Sequence, residues 1–238
     1  MSERNVQLMQ ENDGVLLASF PRSGSTLTCQ FIAKATNHAI GHGSDIHEFD
    51  IIPNLVGKDY ARSAELERFP LAMRTHDAEP IGRFRTHFMY RRPDDALGSY
   101  YFFLLRRHPA MRMEKFFPHA VSQWRTIAQA ALHKLDVDGG SVNLSKYEDH
   151  LAAPAQNFSR LLAFIGGYDG APVAWMVDRL NAHFRHKMTE VRDELQPERG
   201  AIGHNAKVFD DERRAMIERD LTPLYDELSR RTPSIDRT

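Results

Sequence analysis

Short apolar runs of strand length, separated by longer stretches with helical periodicity, set the pattern of this 238-residue chain. Residues 14–20 are apolar almost without interruption, as a strand buried on both faces requires. Small and polar residues follow. From residue 23 to 37 the apolar positions Leu27, Phe31 and Ile32 recur about one turn apart, with Ala33 and Ala35 between them, which predicts a helix. Further strands are predicted at 71–74, 87–90 and 142–144, the first ending on Arg74 and the second running into Arg91. Pro93 opens the next helix, Asp94 and Asp95 suit its positive end, and 96–105 continue it. Another spans 120–133 with Val121, Trp124, Ile127, Ala128 and Ala131 on one stripe. Helices are also predicted at 155–165, 172–184 and 210–228, and residues 39–57 read as an irregular connection holding one short helix. Strands that alternate with amphipathic helices imply an α/β fold in three layers, a central, mostly parallel sheet flanked by helices on both faces. With no linker-like stretch, residues 1–238 are expected to form a single domain.

Composition narrows the partners. A net charge of -1, from 31 basic and 32 acidic residues, argues against a nucleic acid or an acidic bilayer as the main partner, so any anion site is local. The single cysteine, Cys29, rules out an intrachain disulfide and falls inside the first predicted helix, where a buried thiol is expected. The first fourteen residues have neither a basic end nor an apolar run, and no stretch approaches 18 consecutive apolar residues. A cytoplasmic protein without a membrane span is expected.

The candidate chemistry lies at strand ends. Arg22, Ser23, Gly24, Ser25 and Thr26 join the first strand to the first helix, where backbone N–H groups converge and a guanidinium and hydroxyls stand ready for a phosphate. The spacing is not that of a GxxxxGK[ST] loop, since Gly24 is the sole glycine and no lysine follows it. A second anion segment starts at Arg91, with Ser99 two turns into the following helix. His42, His47, Glu48 and His204 have no metal-binding spacing, so no metal is expected.

These segments resemble the PAPS-dependent sulfotransferases. SFPRSGST at 19–26 is similar to their 5'-phosphosulfate loop, and YRRPDDALGSYY at 90–101 to their 3'-phosphate segment. Weaker likenesses are Arg74-Thr75-His76 to a Lys-Thr-His element, Tyr147-Glu148-Asp149 to a Tyr-Glu-Asp element, and 199–203 to a late Arg-Lys-Gly-x-x-Gly loop. The resemblance implies a P-loop-like fold and transfer of a sulfuryl group from PAPS, with PAP as product, to a hydroxyl of an organic small-molecule acceptor. It implies that His76 is the general base, that Arg22 contacts the 5'-phosphate and the sulfuryl group, and that Arg74 stands where a lysine is usual. Ser23, Gly24, Ser25 and Thr26 would hold the 5'-phosphate, Arg91 and Ser99 the 3'-phosphate, with Arg199 and Gly200 closing over the 3'-phosphate, and Tyr147 would lie beside the adenine.

The chain departs from the pattern at Leu27, where many members place a tryptophan on the adenine. Phe209 or Trp175 is the expected substitute. Glu198 replaces part of the basic late loop, with Lys207 as the compensating charge. A P-loop-type small-molecule kinase and a non-catalytic nucleotide- or metabolite-binding protein stay open as alternatives. The terminal helix and Phe116-Phe117 would permit a homodimer.

Overall fold

The computed structural model describes residues 2–41, 46–190 and 205–234. An amphipathic helix, α1 (Glu3–Glu11), comes first; Ser2 caps it by accepting the Asn5 N–H at 3.2 Å. Strand β1 (Val15–Ser19) and helix α2 (Ser25–Ile40) follow as expected, then the short helix α3 (Glu48–Ile51). Strands β2 (Ala72–Thr75) and β3 (Arg85–Tyr90) lead to α4 (Pro93–Arg107) and α5 (Met113–Val137). Strand β4 (Val142–Lys146) turns directly into α6 (Tyr147–Ala152), and α7 (Pro154–Ile165), α8 (Val173–Glu190), α9 (Asp211–Asp220) and α10 (Thr222–Arg231) complete the chain.

The four strands form one parallel sheet in the order β2-β1-β3-β4. Because side chains alternate along a strand, β1 feeds both layers. Leu16 and Ala18 join Phe88, Tyr90 and Leu144 beneath α4, α5, α9 and α10, around fully buried Trp124. Val15 and Leu17 join Ala72 beneath α2, α7 and α8, where the rings of Phe31 and Phe158 stack 3.9 Å apart. The result is the expected three-layer α/β architecture.

Several elements differ from the sequence pattern for identifiable reasons. Helix α1 has few apolar residues, yet Met9 is buried and the Asn5 side chain, also buried, donates to the carbonyls of Asn54, Leu55 and Lys58 while accepting the Tyr60 N–H at 2.8 Å. Helix α5 starts seven residues before the predicted 120 and carries Pro118 inside it, at the cost of the backbone bond to the Glu114 carbonyl. The expected helix 210–228 is two helices, because Pro223 cannot donate the backbone hydrogen bond that a continuous helix needs. Phe116 and Phe117 are core residues of α5, 4% and 3% exposed, and so are not available as a contact surface. The chain's last described segment is tied down by a 2.7 Å hydrogen bond between the hydroxyls of Tyr90 and Thr232 and by Arg160, which donates to the Pro233 carbonyl at 3.0 Å. Among the described residues no helix is long and apolar enough to cross a membrane.

Candidate active site

The carboxyl ends of β1, β2, β3 and β4 deliver Phe20 to Ser25, His76, Arg91 and Tyr147 to the same edge of the sheet, where open parallel sheets bind ligands. The loop after β1 is shaped by two residues in the left-handed region, Arg22 (φ 69°) and Gly24 (φ 105°). Gly24 is required for space as well as for torsion. A Cβ there would lie 2.8 Å from the Tyr147 ring and collide with the Met89 sulfur. The first helical bond, Thr28 N–H to Gly24 C=O at 3.1 Å, closes only after this turn, so the N–H groups of Ser25, Thr26 and Leu27 lie at the positive end of the helix ahead of its regular bonding. Ser23 is buried with no partner for its hydroxyl among the described residues, Ser25 is half-buried and Thr26 is exposed.

Arg22 and Arg91 both act on Tyr147 at this edge. Arg22 Nε donates to Ser99 Oγ at 3.4 Å, which brings the start of α2 against the second turn of α4. Arg91 is 5% exposed; its guanidinium lies 4.7 Å from the ring centroid of Tyr147, and its nearest carboxylate, Asp95, is 3.8 Å away. Its Nε and Nη2 are buried without a hydrogen-bond partner among the described residues. A buried guanidinium with two unused donors is costly unless an anion completes it, so Arg91 fits a phosphate or another oxyanion. Burial raises the Tyr147 pKa, while both Arg91 and Arg22 pull it down, so both cations act on one ring. Ser23, Arg91 and the cradle at Gly24 therefore suit the phosphates of a nucleotide such as PAP.

His76 follows β2 and leans on β1. Its Nδ1 is 2.7 Å from the Ser19 carbonyl, which only accepts, so Nδ1 carries the proton and Nε2 keeps a free lone pair. Burial lowers the pKa of His76; the Ser19 carbonyl opposes this, and Arg74 adds to it. The ring is therefore neutral near pH 7. Gln123 on α5 holds the loop by donating to the His76 carbonyl at 3.4 Å.

Arg74 lies elsewhere. It occupies the β2 position paired with Leu17, on the α2 side of the sheet, where Nε donates to Asn54 Oδ1 at 2.6 Å and the guanidinium sits 4.2 Å from the Phe49 ring centroid. It reaches toward Cys29, whose thiol burial pushes up to about 12, so that cysteine is inert as a nucleophile. Arg74 touches the site through its field on His76.

The neighbouring Arg91-Arg92 pair divides. Arg92 bonds Asp94 at 2.7 Å, and its N–H is accepted by Glu148 at 3.0 Å, which locks the β3 end to the start of α6. A cleft of about 550 Å³ opens beside Arg92, lined among others by Lys146, Glu148, Arg214 and Tyr225. Neither Arg22, Arg91 nor Tyr147 lines it, so this cleft and the unsatisfied buried donors of Arg91 are separate places.

The expected adenine platforms are corrected. Phe209 is 1% exposed and packs on Phe117 in the core, with ring centroids 5.4 Å apart. Trp175 lies at a tilt beside His38, ring centroids 5.5 Å apart, thirteen residues along α2 from Ser25 and thus about 20 Å from the loop. Lys207 is exposed. Arg199 and Gly200 lie outside the described residues. Phe103, which the sequence reading did not single out, is half-buried beside the loop, its ring centroid 5.2 Å from the Arg22 guanidinium; its position four residues after Ser99 was the available signal.

The fold and this edge define a sulfotransferase-like three-layer α/β architecture. Two crystal structures of retinol dehydratase share it. One, in a complex with retinol and PAP, superposes with a TM-score of 0.56 at 16% identity over 94% of this chain and 83% of that one. The other, in complex with androsterone and inactive cofactor PAP, gives 0.58 at 15% identity over 95% and 83%. No family model and no curated protein matches the chain.

Proposed function

We propose that this protein transfers a sulfuryl group from PAPS to a hydroxyl of an organic small molecule, leaving PAP. The observation that carries this reading is the buried, incompletely bonded guanidinium of Arg91 over the Tyr147 ring, on which the charge of Arg22 also acts. That PAP occupies both retinol dehydratase structures supports it.

Bound PAPS supplies the sulfuryl group and a phosphate leaving group. The α2 N-terminus, Ser23, Ser25, Thr26 and the Gly24 backbone hold the 5'-phosphate, while Arg91 and Ser99 hold the 3'-phosphate. Arg199 and Gly200 are assigned to closing over it, and Tyr147 to the adenine side. His76 Nε2 takes the proton of the acceptor hydroxyl as its oxygen bonds to sulfur, and the Ser19 carbonyl steadies the imidazolium that results. Arg22 balances the negative charge that appears as the bridging sulfur–oxygen bond breaks; it stays protonated and acts by charge alone. Arg74 contributes a more distant positive field.

Calorimetry with PAP, PAPS and ATP tests the donor. PAP and PAPS are expected to bind tightly and ATP weakly; ATP binding more tightly than PAP would overturn the assignment in favour of a kinase. A transfer assay on phenols, aliphatic alcohols, glycosides and lipids then tests the reaction. Because the neighbours are dehydratases, alcohol products are to be identified as sulfate esters or as alkenes; sulfate ester is expected.

A further inference from the structure

Ser99, Phe103 and Arg107 stand four residues apart on α4 and therefore share one face of that helix, a span of about 12 Å. Ser99 accepts from Arg22, Arg22 lies over the Phe103 ring, and the Arg107 guanidinium lies over the same ring, 4.2 Å from its centroid. Arg107 is exposed and has no ion pair among the described residues. Two guanidiniums thus share one aromatic ring. One is part of the phosphate loop, and the other faces the space beside it with its charge unmatched.

A cation in the last turn of a helix is favourable in itself, but that does not require Arg107 to fold back over the ring toward the loop. A forked, unpaired guanidinium held in place by a ring is suited to an oxyanion. Resting on the sulfuryl-transfer reading, the geometry points to an acceptor that carries an acidic group, a carboxylate or similar oxyanion held by Arg107, with the half-buried Phe103 ring as the apolar surface between that cation and Arg22.

The test uses a rigid pair of acceptors, 4'-hydroxybiphenyl-4-carboxylate and its neutral twin 4-hydroxybiphenyl. Both KM in the transfer assay and Kd by calorimetry on PAP-saturated protein are measured. The acid is expected to bind at least ten times tighter than the twin. Arg107→Ala should reduce this preference about tenfold, and Arg107→Lys should retain part of it. An unchanged preference, or equal loss for both compounds, overturns the inference, the second outcome marking a structural role. So does displacement of PAP by the acid, which would place it on Arg22. Calorimetry of the acid without PAP separates the two readings: if PAP fails to bind but the acid preference still depends on Arg107, the anion contact stands and the donor assignment falls.

Discussion

At the scale of single residues, His76, Arg91 and Gly24 make separable predictions. His76→Ala is expected to lower turnover by roughly 100-fold while leaving PAP affinity near its original value, since the ring handles a proton and holds no phosphate. Its pKa is held below 6.5, and only the neutral ring accepts a proton, so activity persists at pH 6.5 and falls as pH drops through the lowered value. A profile of kcat/KM whose acidic limb lies above pH 6.5 would contradict this. Arg91→Ala should weaken PAP binding at least tenfold, read by calorimetry. Gly24→Ala forces a Cβ against Tyr147 and Met89 at a left-handed torsion, so both PAP affinity and thermal stability should fall.

At the scale of elements, helix α1 is fastened chiefly through one side chain. Asn5→Ala leaves three carbonyls and the Tyr60 N–H without their partner and is expected to cost about 3 kcal/mol in urea unfolding. That attachment was not legible in the sequence, because the partners of Asn5 lie about fifty residues away in a segment with no periodicity. The strands were legible because burial on both faces leaves an unbroken apolar signature, and the loop at 19–26 because small residues and a guanidinium interrupt it abruptly. The placing of Arg91 at the start of α4 followed from a strand running straight into a proline-opened helix. Arg74 did not yield to the same reading: strand alternation sends it to the layer of Ala72 and Leu17, away from the phosphate loop. The fates of Phe209 and Trp175 depended on packing against distant helices, which local pattern does not encode. The break between α9 and α10 was visible in Pro223 and was masked by the apolar repeat on either side.

At the scale of the whole molecule, the α7 side of the sheet carries a buried polar row that governs its response to acid. His87 and His150, 1% and 2% exposed, are bonded to Asn143 at 3.2 Å and Ser145 at 3.1 Å, respectively. Burial lowers both pKa values to about 3, aided for His87 by His150 and for both by Arg160. Between pH 6.5 and about 3 the unfolded chain binds these protons and the folded one does not, so stability is full above pH 6.5 and declines as pH falls, by up to about 1.4 kcal/mol per pH unit for each histidine. Urea midpoints at pH 7 and pH 5 check this, and midpoints that coincide would refute it. The topology carries a different consequence. The central strand β1 must wait for β2 and β3, and Tyr147 arrives only after β4, so a chain emerging from the ribosome has the loop after β1 long before it has the opposing wall. A nucleotide that needs both sides cannot assist the early stages of biogenesis; it rewards only the finished product, slowing its loss to unfolding and degradation in proportion to cellular supply.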